Sequence, residues 1–179
     1  MNKTLLSAVV IAGLGVAAIA PRTASAVDGT INITGTVTAS TCKINGAASP
    51  ATIAVTLPTV STTSLYASGV VAGRAPFSIA LSNCGALTKA TTFFETGPTI
   101  MADGNLKNAT GSATGVEVQL LNSDQSVINL AGGSTAQNSL QGTLTSGAGT
   151  LNYYAQYYAT AAAGAGSVNT SVQFTMQYQ

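Results

Sequence analysis

The chain has 179 residues, which is enough for one domain, and its six basic and five acidic residues give a formal net charge of +1. A near-neutral chain without a basic cluster lacks the electrostatic footprint of a nucleic-acid-binding protein. The sequence contains no histidine, which removes the commonest general base and metal ligand together with the Ser–His and Cys–His nucleophile pairs. The composition therefore predicts a protein that is not an enzyme, needs no cofactor or metal and does not bind nucleic acid.

The first 26 residues have the organisation of a secretory signal peptide. Lys3 supplies a positive start, residues 5–20 form an apolar run, and the Ala-Ser-Ala sequence at residues 24–26 offers a small-residue cleavage site. A membrane anchor is the alternative, but the run is short for a bilayer span and contains two glycines. We therefore expect cleavage after residue 26, export of the rest of the chain, and no membrane span in the mature part.

The exported part is expected to form short strands separated by turns, because apolar and polar residues alternate repeatedly and no amphipathic helical pattern occurs. The predicted strands cover residues 30–38, 53–57, 77–81, 93–94, 116–120, 127–130, 151–159 and 168–178. Turn signals such as Asn45-Gly46 separate them, and one helical turn is expected within residues 61–73. The pattern predicts an all-β fold, an antiparallel β-sandwich.

Both cysteines of the chain, Cys42 and Cys84, lie in the exported part. In an oxidising compartment such a pair most simply forms a disulfide. Closing a loop of about 43 residues would stabilise the fold by roughly 4 kcal/mol in the chain-entropy estimate. Two free thiols are the alternative that the residues alone leave open.

The N-terminal end of the exported part is an alternating strand with a glycine on its apolar face. Ile31, Ile33, Gly35 and Val37 share that face, and Cys42 follows. Glycine weakens a strand interior unless another backbone must approach closely. The pattern therefore indicates either a strand that enters a tight groove in another molecule or a bulge within the chain's own sheet.

The C-terminal end is a second alternating strand, and it ends on a penultimate tyrosine. Gly166 is the fourteenth residue from the end of the chain. The apolar positions that follow it are Val168, Val172, Phe174, Met176 and Tyr178. The segment from Tyr153 to Ala159, which precedes Gly166, carries four tyrosines.

Taken together, the N-terminal pattern, the cysteine pair, the tyrosine-rich segment and the glycine with its penultimate tyrosine resemble the chaperone–usher pilins of the type 1 fimbrial family. The resemblance spans the whole exported part of the chain. It implies an incomplete immunoglobulin-like antiparallel β-sandwich that lacks its last strand and is completed by donor-strand exchange. The resemblance also places the family's disulfide at Cys42 and Cys84.

The resemblance implies a domain organisation and a set of partners. Residues 1–26 would be the signal peptide, residues 27–39 a donor-strand extension and residues 40–179 the pilin domain. The donor face would comprise Ile31, Ile33, Gly35 and Val37. The acceptor groove and chaperone-binding strand would comprise Gly166, Val168, Val172, Phe174, Met176 and Tyr178, with the carboxylate of Gln179 as an anchor for the chaperone. The partners would be neighbouring subunits in a head-to-tail homopolymer, a periplasmic chaperone and an outer-membrane usher.

The implied function is that of a structural subunit of an extracellular fimbrium used in cell adhesion. The main shaft subunit is favoured, because a tip adhesin would need a second domain for which the chain is too short. A minor or adaptor pilin is one alternative. A stand-alone secreted β-sandwich that binds carbohydrate or protein through its tyrosines is another, and a hydrolase built from two carboxylates that meet in the fold is a third.

Overall fold

The computed structural model describes residues 42–179, together with residues 31, 32 and 34. The chain divides into two units, Met1–Val37 and Thr38–Gln179, and every described strand belongs to the second. The described strands are β1 (Lys43–Ile44), β2 (Val71–Ser82), β3 (Lys89–Phe94), β4 (Leu106–Lys107), β5 (Val116–Asn122), β6 (Gly142–Thr143), β7 (Gly149–Ala159) and β8 (Phe174–Tyr178). The strand predicted at residues 30–38 falls largely outside the described residues and stays a prediction.

The described strands form two sheets in which every pairing is antiparallel. One sheet has the order β1-β2-β7-β5-β4, and the other has the order β6-β3-β8. Alternate side chains of both sheets share one apolar core, which includes Ile79 of β2, Phe94 of β3, Leu120 of β5 and Leu151 of β7. The predicted all-β, antiparallel sandwich is therefore confirmed.

Tyr153 of β7 connects the two sheets through the core. Its side chain is 2% exposed, and the rings of Phe77 and Phe94 pack against it with centroids at 5.4 and 6.0 Å. Its hydroxyl donates a hydrogen bond to Thr92 Oγ1 on β3 at 2.9 Å, so the buried polar group has a partner. Burial raises the pKa of Tyr153 above its ordinary value. One of the four tyrosines of β7 is thus a core residue.

Cys42 and Cys84 form a disulfide, as predicted. Both cysteines are 1% exposed and belong to the core. The bond ties the residue before β1 to the loop that follows β2. It therefore holds the beginning of the described sandwich to its five-stranded sheet, where β1 itself contributes only Lys43 and Ile44.

The strand predicted at residues 53–57 is wrong. Residues 48–61 have no assigned strand or bridge, although Ile53 and Leu57 do pack against the core. Alternation of apolar and polar residues indicates which side chains turn inwards. It does not show that a neighbouring strand pairs with the segment. In residues 53–57, Ile53 and Leu57 turn inwards, but the backbone forms no β-ladder with the described strands.

The strand predicted at residues 127–130 is also wrong. Val127 makes only an isolated bridge to Leu121. Ile128 and Leu130 are fully buried, while the Leu130 N–H donates to the carbonyl of Gly104 in a loop. The apolar run therefore reflects a buried loop whose backbone groups have separate partners, since the Ile128 N–H donates to the carbonyl of Leu120 on β5 while that of Leu130 donates to a loop.

The helical turn expected within residues 61–73 is confirmed as a 3-10 helix, Thr62–Leu65. Ser61 caps it, because its Oγ accepts a hydrogen bond from the backbone N–H of Thr63 at 3.3 Å. Leu65 anchors the turn in a small apolar cluster beside Val116 and Ala159. Over the part of the chain that the structure describes, no helix is long and apolar enough to cross a membrane.

Candidate binding groove

A groove of about 1050 Å³ opens into the core of the sandwich. Residues 168–175 line it along the C-terminal segment, and residues 49–53 and 55–57 line it from the segment before the 3-10 helix. Core side chains of β1, β2, β3, β4, β5 and β7 reach it, among them Phe77, Ile79, Phe94 and Leu120. The groove is therefore a gap in the cover of the hydrophobic core.

One side of the groove is bordered by the segment 168–178, which we call the C-terminal wall and of which residues 168–175 line the groove. Its even-numbered side chains turn inwards and its odd-numbered ones are exposed along the whole length. The inward side chains of Val168, Val172, Phe174, Met176 and Tyr178 pack on the core but stay only half-buried. Side chains on the inner face of a sandwich are normally covered from both sides, so this wall lacks a neighbour among the described residues.

The backbone of β8 has a free edge on the same side. In the three-stranded sheet β8 lies at the end of the order and pairs only with β3 among the described strands. The pair formed by Lys89 and Gln179 exchanges both backbone hydrogen bonds at 3.0 Å, so odd-numbered residues face β3. Backbone groups alternate sides in an antiparallel strand, and those of Phe174 and Met176 therefore point away from β3. Such an edge is a template for another strand.

The first half of the C-terminal wall is held by loops instead of a strand. The carbonyl oxygens of Ser167 and Asn169 accept hydrogen bonds from backbone N–H groups of the β4–β5 loop at 3.0 and 2.9 Å. Thr99 Oγ1 donates to the carbonyl of Ser171 at 2.7 Å. The strand predicted at residues 168–178 is therefore confirmed only as Phe174–Tyr178, because no described strand adjoins the upstream residues.

Gly166 precedes the C-terminal wall and does not line the groove. A Cβ atom at this position would collide with the backbone of Ser112 and Ala113. The residue must therefore be glycine because two backbone segments approach each other closely, and a left-handed conformation is not the reason. Gly166 fixes where the wall begins.

The other end of the wall is fixed by the last two residues. A terminal oxygen of Gln179 accepts hydrogen bonds from the backbone N–H groups of Thr88 and Lys89 at 2.8 and 3.0 Å. Tyr178 is half-buried, and burial raises the pKa of its phenol, while a hydrogen bond with the backbone of Cys42 lowers it. The chain end is thus held against β3, beside the disulfide.

The predicted donor residues lie mostly outside the described part of the chain. Ile31 is 88% exposed, whereas Ile33, Gly35 and Val37 are outside the described residues. Of the predicted acceptor residues, Val168, Val172 and Phe174 line the groove, whereas Gly166, Met176 and Tyr178 do not. The donor face stays a prediction.

Sequence reasoning missed the second side of the groove. Ile53, Val55 and Leu57 line it, and their alternation was the available signal, but it was interpreted as an ordinary strand. Thr170 was also missed: it lines the groove, and its buried hydroxyl has no hydrogen-bond partner among the described residues.

The tyrosines of β7 do not form a shared platform. Tyr153 is buried in the main core, and Tyr157 packs in the small cluster around Leu65. Tyr154 lies beneath the guanidinium of Arg74, whose carbon is 5.9 Å from the ring centroid. Consecutive residues point to opposite faces of a strand, which is why the cluster divides.

An antiparallel sandwich with a gap beside its C-terminal edge strand is the architecture found in solved pilus subunits. A subunit from a solved structure of a chaperone–usher pilus has the same fold, with a TM-score of 0.59 and 23% identity over 84% of this chain and 95% of that one. The P pilus rod subunit PapA matches with a TM-score of 0.59 and 22% identity over 77% and 99% of the two chains. The fold is that of the incomplete immunoglobulin-like pilin sandwich.

Sequence comparison identifies the family. A family model described as fimbrial protein matches residues 31–179. The major fimbrial subunit SMF-1 of Stenotrophomonas maltophilia is 46% identical over 168 residues, which cover 90% of this chain and 98% of that protein. The chain belongs to the fimbrial protein family and is a structural pilin.

Proposed function

We propose that this pilin is the repeating subunit of a surface fibre and that each subunit is joined to the next by β-strand addition in the groove. The observation that carries the proposal is the free edge of β8 beside an open apolar gap in the core. A strand added there satisfies the exposed backbone groups and covers the half-buried side chains at the same time. The role is structural rather than catalytic.

The proposed occupant of the groove is the segment 27–39 of a neighbouring copy. At about 3.3 Å per residue, this segment extends roughly 43 Å and the C-terminal wall roughly 36 Å, so the donor is long enough to span the wall. Its face of Ile31, Ile33 and Val37 has the two-residue period of the inward side chains of the wall. Gly35 allows the two backbones to approach closely at one position.

The chemistry of the joint favours durable assembly. Burying each of the three β-branched side chains contributes roughly 1.5–3 kcal/mol, and each backbone hydrogen bond adds a net amount of about 0.5–1.5 kcal/mol. The contact is head-to-tail, because the donor and acceptor surfaces differ, and it therefore generates a filament rather than a closed dimer.

An unfilled groove leaves the lone subunit with an exposed edge and an uncovered core. We therefore propose that a periplasmic chaperone supplies a temporary strand, using the wall from Val168 to Tyr178 and the carboxylate of Gln179. An outer-membrane usher would then exchange this strand for the extension of the next subunit. The route leads through the periplasm, after removal of residues 1–26, to a fimbrium at the cell surface.

The test is a chain-joining experiment in cells that supply the chaperone and usher. Gly35→Arg should abolish SDS-resistant ladders of the subunit, because the bulky side chain prevents close approach in the groove. Gly133→Arg is the matched control: a Cβ added at this position would have no atom within 4 Å, and ladders should persist. A stable monomer that forms without a chaperone, or ladders unaffected by Gly35→Arg, would contradict the proposal.

A further inference from the structure

Asn108, in the loop between β4 and β5, uses the full hydrogen-bonding capacity of its side chain. Its Nδ2 donates to the carbonyl oxygens of Ala113 at 2.9 Å and Ser167 at 3.0 Å. Its Oδ1 accepts from the backbone N–H groups of Gly111 at 3.0 Å and Asn169 at 2.9 Å. An amide with two donors and two acceptors engaged is fixed in position and orientation.

Two of these four bonds cross to the beginning of the C-terminal wall. Ser167 and Asn169 are 59 and 61 residues away from Asn108 in sequence. The backbone groups of both residues also bond to N–H groups of the β4–β5 loop. Asn108 therefore holds the wall from the side of this loop, and the intervening Val168 and the following Thr170 line the groove.

The same region is built for close approach of the two segments. A Cβ on Gly111 would collide with the carbonyl of Ser167, and a Cβ on Gly166 would collide with the backbone of Ala113. Because no side chains separate the two backbones, the amide of Asn108 can bridge them directly. This part of the wall has no β-ladder, since β8 begins only at Phe174.

We propose that Asn108 is a positioning residue for strand uptake, which presets one end of the groove so that Val168 and Thr170 can receive the incoming strand. This inference rests on the proposed function of the groove. Asparagine is required because serine offers one donor and aspartate would set a carboxylate against the two carbonyl oxygens that the amide now binds.

The same contacts exclude a different interpretation of the residue. The sequence Asn108-Ala109-Thr110 matches the glycosylation sequon. The Nδ2 atom that would carry a sugar is already bonded to two carbonyl oxygens between closely packed segments. In this fold the Asn108 side chain joins the β4–β5 loop to the C-terminal wall by hydrogen bonds.

The test measures strand exchange on the mature subunit purified with its periplasmic chaperone. Three synthetic peptides of this chain's own sequence serve as donors: residues 27–39, 27–34 and 35–39. Asn108→Ala should shorten the lifetime of the complex with the full peptide about tenfold, since two bonds to the wall are lost. With the shortened peptide that reaches Val168 and Thr170, Asn108→Ala should still shorten the lifetime of the complex. With the shortened peptide that does not reach them, the variant and the unchanged subunit should give equal lifetimes.

Two further variants sharpen the result. Thr99→Val removes only the 2.7 Å bond to the carbonyl of Ser171. It should give a smaller loss with the same dependence on the peptide end, and it keeps the test decisive if Asn108→Ala does not fold. Asn152→Ala is the matched control, because Asn152 is exposed on β7 and does not line the groove. Its complexes should live as long as those of the unchanged subunit.

Equal lifetimes for Asn108→Ala and the unchanged subunit would overturn the inference. An equal loss with all three peptides would also overturn it, because a general loss of stability has no preferred end. If the unchanged subunit takes up no peptide at all, the proposed function of the groove fails, and this result is distinct from a failure of the inference about Asn108.

Discussion

At the scale of single residues, the least satisfied group in the described sheets is a carboxyl. Glu117 of β5 is 9% exposed, and its Oε2 has no hydrogen-bond partner among the described residues. Burial raises the pKa of Glu117, and the neighbouring Asp103 raises it further, while the side chain of Asn105 lowers it. Lys107 and Tyr158 stand opposite Glu117 in the two flanking strands. The ionised form of Glu117 is therefore disfavoured in the folded state.

The raised pKa has a consequence for stability. An acid whose pKa is higher in the folded state contributes its full stability below its unfolded pKa, and this contribution is lost as the pH rises through the folded value. We therefore expect the thermal unfolding midpoint of the peptide-filled subunit to fall as the pH rises from the unfolded pKa of Glu117 through its folded pKa. Glu117→Gln should make the midpoint less dependent on pH and should raise it at pH 7. Thermal unfolding followed between pH 4 and 8 tests the prediction, and parallel curves for both proteins would contradict it.

At the scale of elements, Gly166 offers a test of how the wall is positioned. Gly166→Ala should lower the free energy of unfolding by about 1–3 kcal/mol, because its Cβ meets backbone atoms of Ser112 and Ala113 that cannot simply rotate away. Denaturant unfolding of the peptide-filled subunit measures the loss.

Gly97→Ala is the control for this substitution. Nothing lies within 4 Å of a Cβ at Gly97, and its backbone is not in the left-handed region. Its effect should stay within about 0.5 kcal/mol of zero. If both substitutions were equally harmless, the close approach at Gly166 would not be needed for stability.

The strands of the structure also show which parts of the fold the alternation of apolar and polar residues can predict. Alternation predicted β5 and β7 correctly and found the second half of β2 at residues 77–81, because these strands have neighbours on both sides and their pattern matches a ladder. The same kind of pattern at residues 53–57 and 168–173 indicated inward side chains but no strand, since no described strand pairs with these residues. Periodicity records burial within the chain and carries no information about a partner that another molecule supplies.

The candidate site was predictable where it is local in sequence. Val168, Val172 and Phe174, which line the groove, were predicted from their alternation near the end of the chain. The role of Asn108 was not predictable from the sequence, because its partners at the C-terminal wall are about 60 residues away. Nothing in a polar loop distinguishes one asparagine from another. Side-chain contacts between residues so distant in sequence can be identified only from the folded structure.

At the scale of the whole molecule, the disulfide should decide stability more than any single contact. Replacing both Cys42 and Cys84 by alanine should lower the free energy of unfolding by roughly 2–5 kcal/mol, mainly because the unfolded chain loses a cross-link. Denaturant unfolding of the peptide-filled subunit gives the value. A reducing agent should destabilise the unchanged protein and leave the variant unaffected, and a loss below about 1 kcal/mol would contradict the prediction.

The position of that disulfide also matters when a fibre is pulled. In a filament joined as proposed, tension leaves one subunit through the extension before Cys42 and enters the next through the edge of β8. Since β1 contains only two residues, it would peel away under a small load. The bond from Cys42 to Cys84 carries the load covalently into β2, whose register with β7 extends from Val71 to Leu81. In such a filament the path of the load through each sandwich would not depend on the two-residue ladder of β1.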